Sequence, residues 1–231
     1  MAPPPTDRFD ELVTALAKTT CFTDVDPNLL RAVAREVIPQ HYDAGQMVLL
    51  ESEASAGLGV IASGRLKAVR LSASGREQIL SVLGPGEIFN AVSVLAEAAN
   101  PATIVALDAT ELWMIPKDRL DGLQDRYPQL TRIIARNLAR RVLALVDLVE
   151  DLSLRTVEMR LARQILEHAE HGVLPREPWA TQAEMSARLG TVTYVLNRAL
   201  RSLEEEGLID VERDRIRVLD ADGLAARAEV A

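Results

Sequence analysis

Residues 181–203 hold the side chains whose types and spacing suggest chemistry. Thr191, Thr193, Tyr194, Asn197, Arg198 and Arg201 recur on one side of a helical repeat, with Thr181 and Gln182 a short way upstream. Hydroxyl, amide and guanidinium groups in such a row donate to phosphate oxygens and to base edges of duplex DNA. The elements that must hold them can be read from the same stretch. Thr181 and Glu184 have the spacing of a capping box, which opens a helix. Met185 and Leu189 are four apart and share its buried face. Gly190 permits the positive φ of a tight turn. Val195, Leu196, Ala199, Leu200 and Leu203 then supply the apolar stripe of a second helix. The pattern predicts a helix-turn-helix. An ordinary two-helix hairpin in an α-helical core would carry the same cap, glycine and stripe, so the downstream residues matter. Gly207 ends the second helix. Ile209–Glu212 and Arg215–Val218 alternate around Arg213-Asp214, which predicts a two-stranded hairpin and hence a winged helix.

The whole chain is acidic, and that argues the other way. It has 231 residues, 48% of them hydrophobic, and a net charge of −8. Local balance decides more than the total, because salt screens fields beyond about 8–10 Å. Residues 181–203 carry three arginines against one glutamate, a local +2. No apolar run approaches the roughly 18 residues of a spanning helix. The start, Met1-Ala2-Pro3-Pro4-Pro5-Thr6, has no apolar signal core, so a cytoplasmic protein with no membrane partner is expected. The single Cys21 cannot form an internal disulfide or supply a four-thiolate cluster, and is expected to be a small buried or half-buried apolar residue.

Residues 8–36 read as helical, with a break at Asp24–Pro27. From about 37 to 116, short apolar runs alternate with Gly45, Gly57, Gly59, Gly64, Gly75, Gly84 and Gly86, which predicts an antiparallel β-roll. A short helix is expected near 117–124 and a long one over 128–152. Ile134, Leu138, Val142, Leu145, Val149 and Leu152 recur three or four apart along the long helix, which predicts a dimer seam. Leu143, Val146 and Leu148 add a second apolar face. A hinge is expected at Glu150–Ser153. The next helix spans about 154–170 with Leu154, Val157, Leu161 and Ile165 inward, and 171–178 form a loop. The fold class is therefore α+β, with three parts: residues 1–127 (N-terminal helices and a jelly-roll-like β-roll), 128–153 (dimerisation helix and hinge) and 154–231 (winged helix-turn-helix).

A roll, a long helix and a winged helix-turn-helix, in that order, resemble the CRP/FNR superfamily of bacterial transcription regulators over nearly the whole chain. The anchors are Ser63-Gly64, Gly75-Arg76-Glu77, Gly84-Pro85-Gly86-Glu87-Ile88-Phe89, Arg140-Arg141, Gly190 and Leu203–Ile209. The resemblance implies a homodimer on a palindromic operator in double-stranded DNA, contact with RNA polymerase, and control by a small-molecule effector. Family members that bind cyclic nucleotides carry a Gly-Glu pair for the ribose and an Arg-Ser or Arg-Thr pair for the phosphate. Here Asn90-Ala91 and Pro101-Ala102 stand in those places, and Leu145-Val146 replaces the Thr-Ser pair that meets adenine. Proline offers neither charge nor backbone donor. Cyclic AMP is thus not the expected effector, whose identity stays unassigned. The equivalent pocket, near Asn90, Ala91, Val92, Ala102, Thr103, Leu145 and Val146, reads as apolar. It suits a hydrophobic effector, a haem or simple side-chain packing. No cofactor and no metal are expected. Haem is the one cofactor the gas-sensing members raise, but His41, His168 and His171 fall away from the cassette and the long helix, and Met114, a possible soft ligand, reads as core. The base-reading helix also departs from its relatives. Val192-Thr193-Tyr194 replaces the common Ser-Arg-Glu run, while Arg198 matches the family's arginine one turn on, so a different operator is expected.

Two other classes stay in view. A non-DNA regulatory or protein-interaction module with a cyclic-nucleotide-binding-like fold would fit the acidic pI of about 5.0 and the Glu204-Glu205-Glu206 run, otherwise read as a solvated face. An enzyme on a cupin-like roll would need a histidine–carboxylate cluster, and the roll holds His41 alone.

Overall fold

The computed structural model describes residues 6–73, 75, 77–175 and 181–229. The proline-led start, Arg76 of the glycine turn and the end of the expected 171–178 loop lie outside the described residues. Helices α1 (Thr6–Ala17) and α2 (Pro27–Glu36) lead into β1 (Ile38–Tyr42), β2 (Met47–Leu49), β3 (Gly57–Ser63), β4 (Leu66–Leu71), β5 (Glu77–Leu83) and β6 (Ile88–Phe89). A short α3 (Ala91–Leu95), β7 (Thr103–Ala106), β8 (Thr110–Pro116) and α4 (Lys117–Arg126) precede the long α5 (Pro128–Leu154). Then come α6 (Val157–His168), β9 (Val173–Pro175), α7 (Gln182–Arg188), α8 (Thr193–Glu205), β10 (Ile209–Val211), β11 (Arg215–Val218) and α9 (Ala221–Ala228). Contacts divide the chain into two units. One is Met1–Val69 with Ser81–Leu143, and the other is Arg70–Leu80 with Ala144–Ala231.

The roll is built from two four-stranded sheets, ordered β1-β8-β3-β6 and β2-β7-β4-β5. The pairs β1–β8, β3–β8, β3–β6, β2–β7 and β4–β7 are antiparallel. Its core gathers Phe22, Leu29, Leu58, Ile88, Ile115, Leu120, Leu130 and Ile134. Gly57 permits the approach of β3 to β8. Its φ is +142°, and a Cβ there would lie 2.2 Å from the Ile115 carbonyl oxygen. Cys21 is buried, as the sequence leads one to expect, and burial pushes its thiol pKa up despite a contact with Thr19.

The long helix corrects part of the expected seam. Ile134 is fully buried in its own core, and Leu138 is half-buried against the same cluster. Ile134 is therefore not available to a second chain, while Leu138 keeps part of its side chain exposed. The 3.6-residue period marks an apolar face but not its partner. Val142, Leu145 and Val149 are exposed, Val142 at 58% and Val149 at 62%. Leu143 and Val146 beside them are exposed too. Leu152 turns toward its own helix-turn-helix, its Cδ2 lying 2.8 Å from where a Cβ on Gly190 would sit.

The expected hinge at 150–153 is also displaced. Helix α5 runs unbroken to Leu154, which is exposed rather than inward. Arg155 pairs with Glu150 and Asp151 and so fastens the last turn. The chain changes direction at Thr156, whose Oγ1 accepts from Met159 N at 3.3 Å and caps α6.

The second unit packs α6, α7, α8 and α9 around Leu161, Ile165, Met185, Leu196, Leu200, Leu203 and Leu224. Its sheet has three strands, β10-β11-β9, not two. The segment expected as loop contributes β9, because Leu174 pairs with Ile216 and both are buried. Helix α9 was not anticipated by sequence periodicity. Asp220 caps it through Gly223 N at 2.9 Å, and Arg227 bridges Glu158 at 2.8 Å and Glu206. Glu204 accepts from Val211 N at 3.1 Å. Two of the three glutamates at the end of α8 are thus anchors between elements, not a plain solvated face.

Candidate nucleic-acid interface

Each functional side chain on α8 is placed by the buried residues opposite it. Thr181 caps α7 by accepting from Glu184 N at 3.2 Å, so its hydroxyl is engaged in the helix start. Met185, Ala187 and Leu189 are buried beneath α7. Gly190, at φ +62°, closes the turn, and Thr191 N donates to Ser186 O at 2.9 Å. The positive φ is what favours glycine at this turn, since the atoms a Cβ would meet are the movable side-chain ends of Gln78 and Leu152. Leu196, Ala199, Leu200 and Leu203 bury the far side of α8, while Val195, expected in that stripe, is only half-buried.

That packing leaves Thr193, Tyr194, Arg198 and Arg201 exposed and Gln182, Thr191 and Asn197 half-buried. Tyr194, Asn197, Arg198 and Arg201 follow at three- and four-residue steps and share one face. Ion pairs distinguish these arginines from others in the unit. Arg155, Arg163, Arg215, Arg217 and Arg227 all sit beside carboxylates. Arg198 and Arg201 have no hydrogen-bond or ion-pair partner among the described residues. Arg213 in the wing turn is likewise exposed and without such a partner. It is a candidate phosphate contact that the sequence reading passed over as a turn residue. Its signal was its place at the tip of the predicted hairpin.

A second arginine system holds the turn in place. Arg160 Nη2 donates to Leu189 O at 2.8 Å, and its Nη1 donates to Arg155 O at 2.9 Å and Asp151 O at 3.1 Å. One guanidinium therefore ties the end of α5, the start of α6 and the helix-turn-helix corner. Burial lowers the Arg160 pKa, with Asp151 opposing the shift.

The expected effector residues divide between the two units. In the roll, Asn90 takes a left-handed backbone, φ 63° and ψ 13°, between β6 and α3. Its Nδ2 donates to Gly57 O at 2.9 Å and to Ser55 Oγ at 3.0 Å. Asn100 Nδ2 donates to Leu50 O at 3.0 Å, and Thr103 Oγ1 accepts from Glu51 N at 3.1 Å. Asn90, Asn100 and Thr103 are thus bound to distant segments of the roll, while Ser93 Oγ and Asn100 Oδ1 are buried without a hydrogen-bond partner among the described residues. Ala91 and Ala102 are buried, and Val92 is exposed on α3. Leu145 and Val146 are exposed on α5 in the other unit. Arg141 Nη2 donates to Ile88 O at 2.6 Å, and burial lowers its pKa, with Glu87 opposing. His41 is exposed beside Glu111 and Asp43, His168 contacts Gln164 O, and His171 lies in a turn. Among the described residues, no three His, Cys, Asp or Glu side chains could hold a metal ion. No described helix is long and apolar enough to cross a membrane.

Residues 39–127 match the cyclic nucleotide-binding domain family, and residues 159–227 match the Crp-like helix-turn-helix domain. A CRP-like cAMP-activated global transcriptional regulator of Mycobacterium tuberculosis is 30% identical over 92% of this chain and 98% of its own. The cyclic AMP receptor protein of Thermus thermophilus is 31% identical over 78% of this chain and 83% of its own. A crystal structure described as a putative crp/fnr regulator from Eubacterium rectale shares the fold, with a TM-score of 0.75, 23% identity and coverage of 90% of this chain and 97% of that one. These whole-chain relatives are regulators of transcription, not enzymes, and proteins of this kind bind DNA and usually dimerise. With its roll, long helix and exposed recognition face in that order, the chain belongs to the CRP/FNR family of DNA-binding transcriptional regulators.

Proposed function

We propose that two copies of this chain join through the exposed apolar residues of α5 and grip a palindromic operator in the cytoplasm, where RNA polymerase is a further partner. The observation that carries the reading is the pair Arg198 and Arg201, exposed and without ionic partners on the face opposite a buried stripe. In a unit where five other arginines sit beside carboxylates, these two stay free for a polyanion among the described residues. Association with duplex fragments should weaken steeply and log-linearly with salt, because bound phosphates release counterions. A flat salt response would favour the alternative of a protein-interaction module. Arg198→Ala should weaken operator binding by about 1–3 kcal/mol and relax preference at one base if the contact is bidentate. A uniform loss across sequences would assign Arg198 to a phosphate.

Control by something other than cyclic AMP is part of the proposal, although two relatives bear that nucleotide in their names. Asn90 is turned onto Gly57 and Ser55, Pro101 stands where a phosphate-binding arginine would be, and Leu145 and Val146 offer no polar contact to a base. Burying the phosphate without those partners costs several kcal/mol. Calorimetry with millimolar cyclic AMP should show no saturable heat, and a micromolar dissociation constant would refute the claim. The reading includes no resident haem or metal. An absorption spectrum after incubation with hemin checks it, since a Soret band that co-elutes with the protein would overturn it.

A further inference from the structure

We propose that the first turn of α8 reads thymine by its 5-methyl group, with Val192 and Tyr194 as the apolar contact. The proposal rests on the DNA-binding reading above. Its starting point is a missing cap. In the same unit α6, α7 and α9 each open on a side-chain acceptor, respectively Thr156, Thr181 and Asp220. Helix α8 opens on Val192, at φ −109° and ψ 154°, with no side-chain cap hydrogen bond. That backbone suits Ser, Thr, Asp or Asn, any of which would satisfy a first-turn N–H and stabilise the helix.

Burial does not explain the valine. Val192 is 49% exposed and Tyr194 is 76% exposed, with exposed Thr193 between them. Residues that neither cap nor pack break a local rule, and natural chains break such rules mainly where function demands it. What lies beside them identifies the occupant. Asn197 and Arg198 follow one turn on, and Arg198 and Arg201 have no carboxylate partner among the described residues. Unneutralised cations beside an apolar pair suit a polyanion that carries apolar groups, rather than a second copy of this acidic chain. In the major groove, base edges present donors and acceptors, and the thymine methyl is the one apolar feature. Val192 and the Tyr194 ring carry neither the guanidinium that pairs with guanine nor the carboxylate that pairs with cytosine.

The test uses the full-length chain and a random duplex library, followed by the enriched site remade with uracil in place of individual thymines. The expected result is a half-site with thymine next to the base read by Arg198. Each critical methyl removed should weaken wild-type binding about four-fold, the equivalent of one buried methylene. Val192→Ser should raise the melting temperature by about 2–4 °C as the cap forms. The same variant should bind thymine and uracil duplexes alike, whereas Val192→Ile should keep the discrimination. A merely structural residue would not gain stability while losing base preference. Equal wild-type affinity for thymine and uracil duplexes overturns the proposal. So does a G·C pair at those positions, or discrimination that survives in Val192→Ser. Failure of any duplex to enrich would instead remove the DNA-binding reading on which the proposal stands.

Discussion

The double substitution Val142→Asp, Val149→Asp is expected to yield a folded monomer that has lost about 10²–10⁴-fold in operator affinity, because the second half-site is no longer held at high effective concentration. The two valines are seven residues apart on one face of α5 and are exposed in the single chain. Carboxylates there meet water in the monomer and cost it little. In a dimer they would be buried without partners, at several kcal/mol. Sedimentation gives the association state, and circular dichroism melting gives the fold. A double mutant that still sediments as a dimer would move the interface elsewhere. Ile134→Ala is the contrasting control. It should leave association intact and lower stability by about 2–5 kcal/mol, because Ile134 fills the core of its own chain.

The second large effect is expected at Gly57. In Gly57→Ala the new methyl would sit 2.2 Å from the Ile115 carbonyl oxygen, on a backbone at φ +142° that L-residues rarely adopt. Both terms act together: a disfavoured backbone at about 1–3 kcal/mol and an overpacked contact of similar size. The roll should lose about 2–6 kcal/mol, which corresponds to a melting shift on the order of 10 °C. The same glycine supplies the carbonyl that accepts from Asn90. Urea melts of the variant therefore report on the cassette turn as well as on the β3–β8 pairing. An unchanged midpoint would show that the two strands can separate without loss.

The C-terminal reading was legible because its determinants are local. Thr181, Gly190 and the stripe Leu196, Ala199, Leu200 and Leu203 act within a few residues of one another, and the structure puts each where the pattern required. Val195 slipped to the margin because it sits at the edge of the stripe. The long helix was legible as a helix but not in its partners. Ile134 and Val149 lie on one apolar repeat, yet one faces the chain's own roll and the other faces solvent. Helix α5 runs on through the segment expected as a hinge, and Arg155 pairs with Glu150 and Asp151 at its end, side-chain pairs that periodicity does not register. Helix α9 is short and alanine-rich with one buried leucine, too weak a repeat to notice. Arg227, which joins it to Glu158 and Glu206, acts across long sequence separations. The Asn90 contacts with Ser55 and Gly57 are equally remote in sequence, which is why composition alone suggested an apolar pocket and not a laced loop.

The left-handed conformation of Asn90 has an evolutionary consequence. Asparagine is among the L-residues that most readily tolerate the left-handed backbone angles at this position. The bend is therefore held here without glycine, while the Asn90 side chain ties the corner to Gly57 and Ser55. Shape and sensing are separable at this corner. Point changes here can alter what the corner offers a ligand while the scaffold is inherited whole.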